Sequence, residues 1–370
     1  MLHKFKVENY KIFDEPVSID FSRVRDYKFN EDCINNNTIF KAMLYGKNAV
    51  GKTSFGQALL DIRNTILPND VQNISSIAFL NANSQKDHAR FEYTFEIHGI
   101  KVEYIYEKYE PNKLKYEYLK FENEILYEYD FKKNKGNFNN LKKYKDVENL
   151  NLDEWNGEIS ILRYILTNSK LKDLNVLKKL SDFVSGMAML KPSEDIVRFK
   201  GPRILKNRII TSIIEENLVE DFVKFLKSAG LEIDLKVGEK PDGEKALYFN
   251  YKKPLEFIGH ASSGTRALTS LYWIIHCLSE IKFLFVDEFD ANFHFELAEY
   301  MLEKFKSLND CQILITTHNT DLMSNKYMRP DCYYIMIPNK ITSIAEASLR
   351  ELRQGHNLEK LYQSGEFNGR

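Results

Sequence analysis

The sequence has few cysteines that could form disulfides and no apolar run long enough to span a membrane. Its four cysteines are too widely spaced for a disulfide framework or a zinc site, which predicts reduced thiols: Cys33, Cys277, Cys311 and Cys332. The longest apolar runs, such as Leu271–Leu278, are too short to span a bilayer. No charged, apolar and small-residue signal segment opens the chain. These absences predict a cytoplasmic protein without a membrane partner.

The chain also lacks an excess of either charge, since its formal net charge is −1. Binding to nucleic acid without sequence preference rests on neutralising phosphates, so the chain as a whole is not expected to bind it in this way. A local basic groove remains compatible with this composition, so nucleic acid stays a possible partner. With 370 residues, 43% hydrophobic and 28% charged, the sequence can bury a large core in two lobes.

One segment of the chain fits the phosphate-binding pattern G-x-x-x-x-G-K-[ST] at every fixed position. A predicted strand, Lys41–Tyr45, precedes it, and an amphipathic helix follows it. This context places backbone N–H groups and a helix N-terminus around an anion. Lys52 is predicted to reach the β- and γ-phosphates of ATP, and the Thr53 hydroxyl to hold Mg²⁺. The nucleotide-binding residues of the segment are Gly46, Lys47, Asn48, Ala49, Val50, Gly51, Lys52, Thr53 and Ser54.

An apolar run that ends in two acids, residues 283–288, reads as a buried parallel strand. Ligands of open α/β sheets bind beyond the carboxyl ends of the strands. Asp287 is therefore predicted to complete the Mg²⁺ site opposite Thr53. Glu288, one residue further, is predicted to orient and deprotonate the attacking water.

Two further segments suit a nucleotide site. The small-residue loop at 260–265 precedes a predicted helix, so Ser262, Ser263 and Gly264 are candidates for a second anion site, although a serine or threonine N-cap accounts for such a loop equally well. The apolar strand 312–317 ends at His318, which is predicted to lie near the γ-phosphate.

The order of these motifs resembles the ABC-type ATPases, and within them the RecF/SMC-like branch. The opening residues 2–13 look like the first strand and turn of that branch, and residues 358–367 resemble the ending of RloA- or AbiL-type ATPases of bacterial anti-phage systems. The resemblance covers roughly 1–66 and 245–370. Ser263 and Thr265 stand where transporter signatures have glycine and glutamine, and Phe295 replaces a usual proline.

The resemblance implies an α/β fold, an ATPase head with a mixed sheet, and a catalytic set of Lys52, Glu288 and His318. It implies a homodimer around ATP and Mg²⁺, in which Ser262–Gly264 of one subunit bind the γ-phosphate held by the other. The magnesium-contacting glutamine of the family has no clear counterpart, and Gln85 is the nearest candidate.

The organisation expected from the sequence is an ATPase core at 1–70 and 245–370 with an insert at 71–244. The insert begins as an antiparallel meander over about 90–131, where aromatic and charged residues alternate. Helical patterning follows over Leu162–Leu190 and Ser212–Ala229. Heptads are not sustained, which excludes the long arms of a full SMC protein.

The resemblance implies an ATP-driven sensor or switch in anti-phage defence. The 52 residues after His318 are too few for a nuclease domain, so the effector, for example a nuclease, is expected on another chain. Two alternatives stay open: a RecF-like DNA-repair ATPase, which a basic stripe would favour, and a transporter nucleotide-binding subunit, which the long insert disfavours.

Overall fold

The fold is described from a computed structural model, over residues 1–68, 78–153, 155–191, 198–200, 209–291 and 293–367. Within these ranges the strands are β1 (Leu2–Glu8), β2 (Val17–Asp20), β3 (Ile34–Asn35), β4 (Thr38–Ile39), β5 (Lys41–Tyr45), β6 (Ala89–Ile97), β7 (Ile100–Glu110), β8 (Lys113–Phe121), β9 (Glu124–Asp130), β10 (Lys135–Asn137), β11 (Met187–Lys191), β12 (Arg198–Lys200), β13 (Leu235–Glu239), β14 (Lys245–Phe249), β15 (Leu255–Glu256), β16 (Phe283–Val286), β17 (Gln312–Thr317), β18 (Tyr333–Ile337) and β19 (Lys340–Ser343).

The α-helices of the same ranges are α1 (Lys52–Leu59), α2 (Asp61–Ile66), α3 (Ile161–Asn168), α4 (Asn175–Ser185), α5 (Ile209–Glu215), α6 (Val219–Ser228), α7 (Phe257–His260), α8 (Ser263–His276), α9 (Phe295–Lys306), α10 (Ile344–Ala347) and α11 (Leu358–Gln363). Among the residues described, no helix has both the length and the apolarity needed to cross a membrane.

A mixed sheet at the centre of the fold, called here the nucleotide sheet, has the strand order β12-β11-β16-β17-β5-β18-β19. The five inner strands of this sheet run parallel to one another: β11, β16, β17, β5 and β18. The edge strands β12 and β19 pair antiparallel with β11 and β18. Every residue of β5, β16 and β17 is buried, as expected for parallel strands covered on both faces. The carboxyl ends of β5, β16 and β17 therefore meet along one edge of the sheet.

A second sheet is antiparallel, with the order β10-β9-β8-β7-β6-β1-β2. Burial alternates residue by residue along β6, so one face of this sheet packs on the core. The predicted meander over 90–131 is confirmed as strands β6 to β9. It pairs directly with β1, so the segment 71–244 shares a sheet with the N-terminal residues of the predicted core.

The predicted helical stretch Leu162–Leu190 is wrong at its end. Helix α4 stops at Ser185, and Met187–Lys191 form β11, which pairs with β16 in the nucleotide sheet. A short apolar run fits a helix or a buried strand equally well, and here pairing with β16 decides. Gly186 allows the close turn between them, because a Cβ there would lie 2.7 Å from the carbonyl oxygen of Glu280.

A buried ion pair joins α2, the second helix after the phosphate loop, to the antiparallel sheet. Lys108 Nζ on β7 lies 2.6 Å from Asp61 Oδ2 on α2, and their side chains are 2% and 3% exposed. The hydroxyl of Tyr106 donates to the same carboxylate oxygen at 2.9 Å. Burial lowers the pKa of Lys108 against the attraction of Asp61. A buried charge pair thus ties α2 to the antiparallel sheet.

We expect Lys108→Met to destabilise the protein by about 3–5 kcal/mol, because it leaves the Asp61 carboxylate buried without its counter-charge. Urea unfolding followed by circular dichroism measures this loss. Lys101→Met is the control, since Lys101 makes an exposed pair with Glu103 (Nζ–Oε1 2.7 Å, side chains 51% and 24% exposed). An exposed pair contributes about 1 kcal/mol or less. Equal losses in both variants would contradict this account.

Candidate functional site

The predicted phosphate loop connects β5 to α1, and its backbone demands glycine at both ends. A Cβ on Gly46 would lie 2.8 Å from the carbonyl oxygen of Met336, and one on Gly51 would lie 2.5 Å from Ile12 Cδ1. Gly51 has a φ of 106° and Ala49 a φ of 66°, both in the left-handed region. The residues Lys47, Asn48 and Ala49 at the tip are exposed. The loop therefore forms an open, tightly turned cradle above the sheet.

The Lys52 side chain lies back over this loop. Its Nζ donates to the carbonyl oxygens of Gly46 at 2.6 Å and Lys47 at 3.1 Å, and the residue is 5% exposed. Burial lowers the pKa of Lys52, while Glu288, Asp287 and Asp290 attract the charged form. A cation held among loop carbonyls is available to an anion that the loop binds.

Helix α1 packs closely on β16 through a glycine. A Cβ on Gly56 would lie 2.3 Å from the Phe285 ring, so a larger residue does not fit without a shift. This packing brings Thr53 to the end of β16, where Thr53 Oγ1 donates to Asp287 Oδ2 at 2.7 Å. The two residues predicted to hold Mg²⁺ are therefore in contact.

The acids after β16 are oriented by polar groups of β17. Asp287 is fully buried, and its Oδ1 accepts a hydrogen bond from Thr316 Oγ1 at 2.9 Å. Thr316 Oγ1 in turn accepts from the backbone N–H of Glu288 at 2.8 Å. Glu288 has a φ of 50°, which is uncommon for a residue other than glycine. This turn gives the two neighbouring carboxylates different environments: Asp287 is buried, and the Glu288 side chain is 31% exposed.

His318 follows β17 and is exposed at the same edge. Before it, Thr317 Oγ1 donates to Asp290 Oδ2 at 2.9 Å. Asp290 Oδ1 is buried and has no hydrogen-bond partner among the residues described. Burial raises the pKa of Asp290, against the hydrogen bond from Thr317 and the charge of His318. Asp290 Oδ1 can still accept a hydrogen bond.

Lys191, at the end of β11, is a site residue that the sequence reasoning missed. Its Nζ lies 3.5 Å from Asp287 Oδ2 and 3.4 Å from Glu288 Oε2. Burial opposes its charge, but the attraction of both acids raises the pKa of Lys191 overall. The signal was a lysine directly after a buried apolar run, hidden by the assignment of that run to a helix. Gln85, the candidate for the missing glutamine, is exposed and has no hydrogen bond to these residues within the described ranges.

The predicted second anion site lies at the N-terminus of α8. Ser262 Oγ accepts from the backbone N–H of Thr265 at 3.2 Å, so the serine N-cap is present, and Ser263 is exposed. Helix α8 packs on α5 and α6. In the part of the chain that is described, no hydrogen bond joins Ser262, Ser263 or Gly264 to the phosphate loop. One chain therefore brings together the loop, Asp287, Glu288 and Lys191, but not this segment.

These residues fit the nucleotide and metal that the motifs imply. The hydroxyl of Thr53 and the carboxylate of Asp287 are oxygen ligands of the kind Mg²⁺ prefers, and Mg²⁺ in phosphate sites needs only one or two carboxylates from the protein. In keeping with this, the described residues contain no cluster of three or more His, Cys, Asp or Glu side chains that would hold a metal by themselves. The cradle at Gly46–Thr53 suits the phosphates.

A comparison with protein families identifies the family of this chain. Residues 41–324 match the family described as "AAA domain, putative AbiEii toxin, Type IV TA system". The chain belongs to this AAA-domain family. No curated protein matches it significantly.

Solved structures are similar to this AAA-domain protein over most of its length. A crystal structure of an SMC head bound to the C-winged helix domain of ScpA is 13% identical, with 92% of this chain and 97% of that chain covered and a TM-score of 0.53. The SMC head domain from Thermotoga maritima is 15% identical, with 92% and 98% covered and a TM-score of 0.42. The predicted fold, the α/β fold of an SMC-like head with a mixed sheet, is confirmed.

Proposed function

We propose that this protein is a Mg²⁺-dependent ATP hydrolase that dimerises around ATP and controls a separate effector chain in anti-phage defence. The observation that supports it most is the hydrogen bond of 2.7 Å between Thr53 Oγ1 and Asp287 Oδ2. Two oxygen ligands for Mg²⁺ meet there, beside a phosphate cradle and a second acid, Glu288. The AAA-domain family and the SMC-head fold both support an ATPase.

The chemistry proposed for the site is positioning and charge stabilisation, as in other phosphoryl transfers. The backbone N–H groups of the loop and the N-terminus of α1 hold the phosphates. Lys52 exchanges its loop carbonyls for the β- and γ-phosphates. Thr53 and Asp287 would hold Mg²⁺, which when bound neutralises negative charge on the phosphate oxygens.

Glu288 is proposed as the general base, and His318 as the residue that senses the γ-phosphate. Glu288 keeps part of its carboxylate accessible, as a group that contacts water requires. Its neighbour Asp287 is fully buried and suits a metal ligand instead. The left-handed backbone at Glu288 lets two adjacent residues face different surroundings, Asp287 for metal binding and Glu288 for contact with water.

Dimerisation is proposed because the Ser262–Gly264 segment is exposed or half-buried and, among the described residues, has no hydrogen bond to the phosphate loop of its own chain. The N-terminus of α8, where Ser262 caps the N–H of Thr265, suits an anion held by another subunit. Control of an effector is proposed from the family, whose description names a toxin of a toxin–antitoxin system. An SMC head of similar fold is seen with a ScpA domain bound, which is a precedent for a partner protein on such a head.

We expect Glu288→Gln to bind ATP as the unchanged protein does but to hydrolyse it about 10²–10⁴-fold more slowly, because the water loses its base. Phosphate release gives the rate, and a fluorescent ATP analogue gives the affinity. Glu296→Gln, which changes an exposed acid at the start of α9, is the matched control and should keep full activity. Unchanged turnover in Glu288→Gln would remove Glu288 from this role.

A mixing experiment tests whether the two anion sites work across subunits. Lys52→Ala disables the phosphate loop, and Gly264→Asp places a negative charge where the γ-phosphate is proposed to bind. Each variant alone should be inactive. A mixture should regain part of the activity, because one composite site of the mixed dimer then has both an intact loop and an intact Ser262–Gly264 segment. A mixture as inactive as its components would show that the sites do not combine in this way.

The Glu288→Gln protein is also the bait for the effector. We expect a nuclease- or toxin-like chain to copurify with it from the native host in Mg-ATP, because slow hydrolysis keeps the ATP-bound state populated. Mass spectrometry of the eluate identifies the partner, and the Lys52→Ala protein is the control that lacks this state. Recovery of DNA and repair proteins without such a chain would instead favour the RecF-like alternative.

A further inference from the structure

The acids of the site already contact a cation of the protein itself. Lys191 Nζ lies 3.5 Å from Asp287 Oδ2 and 3.4 Å from Glu288 Oε2. The same Asp287 Oδ2 accepts the hydrogen bond of Thr53, so the ammonium approaches the oxygen proposed to bind Mg²⁺. Lys52 is bonded to loop carbonyls instead. Among the described residues, Lys191 forms ion pairs with both of these acids.

The backbone fixes the position of Lys191. Strand β11 pairs with β16 so that Leu190 is opposite Val286, and the backbone N–H of Asp287 donates to the carbonyl oxygen of Leu190 at 2.8 Å. Lys191 thus leaves the sheet beside Asp287. Arg63 on α2 adds support at the other end of β11, where its guanidinium donates to the carbonyl oxygen of Met187 at 2.8 Å. The lysine is placed by the sheet and not by a loop.

This arrangement has an energetic consequence. A fully buried carboxylate such as Asp287 is costly without a counter-charge. Lys191 supplies that charge when no metal is bound. Mg²⁺ would need the same oxygen, Asp287 Oδ2, as a ligand, and an ammonium beside that oxygen would repel the ion. The two cations cannot both be close to Asp287 Oδ2 without a cost in free energy.

We propose that Lys191 is a positioning residue that takes the place of the metal ion at Asp287, while it also pairs with Glu288, and is displaced when Mg²⁺ arrives with its nucleotide. The inference rests on the proposed function, since it needs Asp287 to be a metal ligand. Its consequence is coupling: the protein alone binds the divalent ion weakly, and the phosphates supply the charge that draws Lys191 away. The acids stay oriented between successive nucleotides.

Mn²⁺ binding followed by electron paramagnetic resonance tests the proposal without any turnover. The proteins compared are the unchanged chain and the variants Lys191→Met, Lys191→Gln and Lys191→Arg, each without nucleotide and with ADP. Lys306→Met is the matched control, because Lys306 is similarly buried (side chain 15% exposed) and paired with Asp32 at 3.3 Å. Circular dichroism establishes that each variant is folded.

We expect Lys191→Met and Lys191→Gln to bind Mn²⁺ without nucleotide on the order of tenfold more tightly, a common size for coupling between two sites. Lys191→Arg and Lys306→Met should match the unchanged protein. In a chelator both neutral variants should melt at a lower temperature than the unchanged protein, and Mn²⁺ should reverse that loss. The Lys306→Met protein should melt alike with and without Mn²⁺, apart from any shift that the unchanged protein also shows.

Unchanged or weaker Mn²⁺ binding in both neutral variants would overturn the proposal and leave Lys191 as an ordinary ion pair. If the unchanged protein binds Mn²⁺ with ADP, the proposed function stands whichever result the variants give. If it does not bind Mn²⁺ even with ADP, the metal site itself is wrong, and both proposals fall.

Discussion

The site depends on the close approach of α1 to β16. Gly56 leaves the space that the Phe285 ring fills, since a Cβ there would lie 2.3 Å from it. Helix α1 therefore packs close to the sheet, and Thr53 contacts Asp287, which lies 234 residues later in the chain. The phosphate cradle and the metal-binding acids are parts of one site because this contact holds them at hydrogen-bonding distance.

Around that contact, the acidic side chains have hydrogen-bond donors or a lysine beside them. Thr316 and Thr317 at the end of β17 orient Asp287 and Asp290, and Lys191 faces the two acids from β11. Such a cluster is expensive to bury unless its members satisfy one another. A site built in this way is poised, because a nucleotide and its metal must replace interactions that already exist.

The middle of the chain is part of this arrangement. It supplies β11 to the nucleotide sheet and β6 to β9 to the sheet of β1. Helix α2, directly after the phosphate-loop helix, holds both: Asp61 pairs with Lys108 of β7, and Arg63 donates to backbone carbonyls at the end of α4 and the start of β11. Helix α2 therefore contacts both sheets.

The sequence by itself determined the local motifs, because a glycine-bounded loop, a buried run ending in acids and a capped helix are each set by neighbouring residues. Those motifs correctly indicated the fold, and they predicted Asp287 opposite Thr53 in a magnesium site; the structure shows the two side chains hydrogen-bonded. Only the tertiary structure decided that Met187–Lys191 is a strand, since a short apolar run becomes a strand or a helix through its partners. Lys191 and the Lys108–Asp61 pair were unreadable for the same reason: their partners are distant in sequence, and burial and pairing across the fold give these side chains their roles.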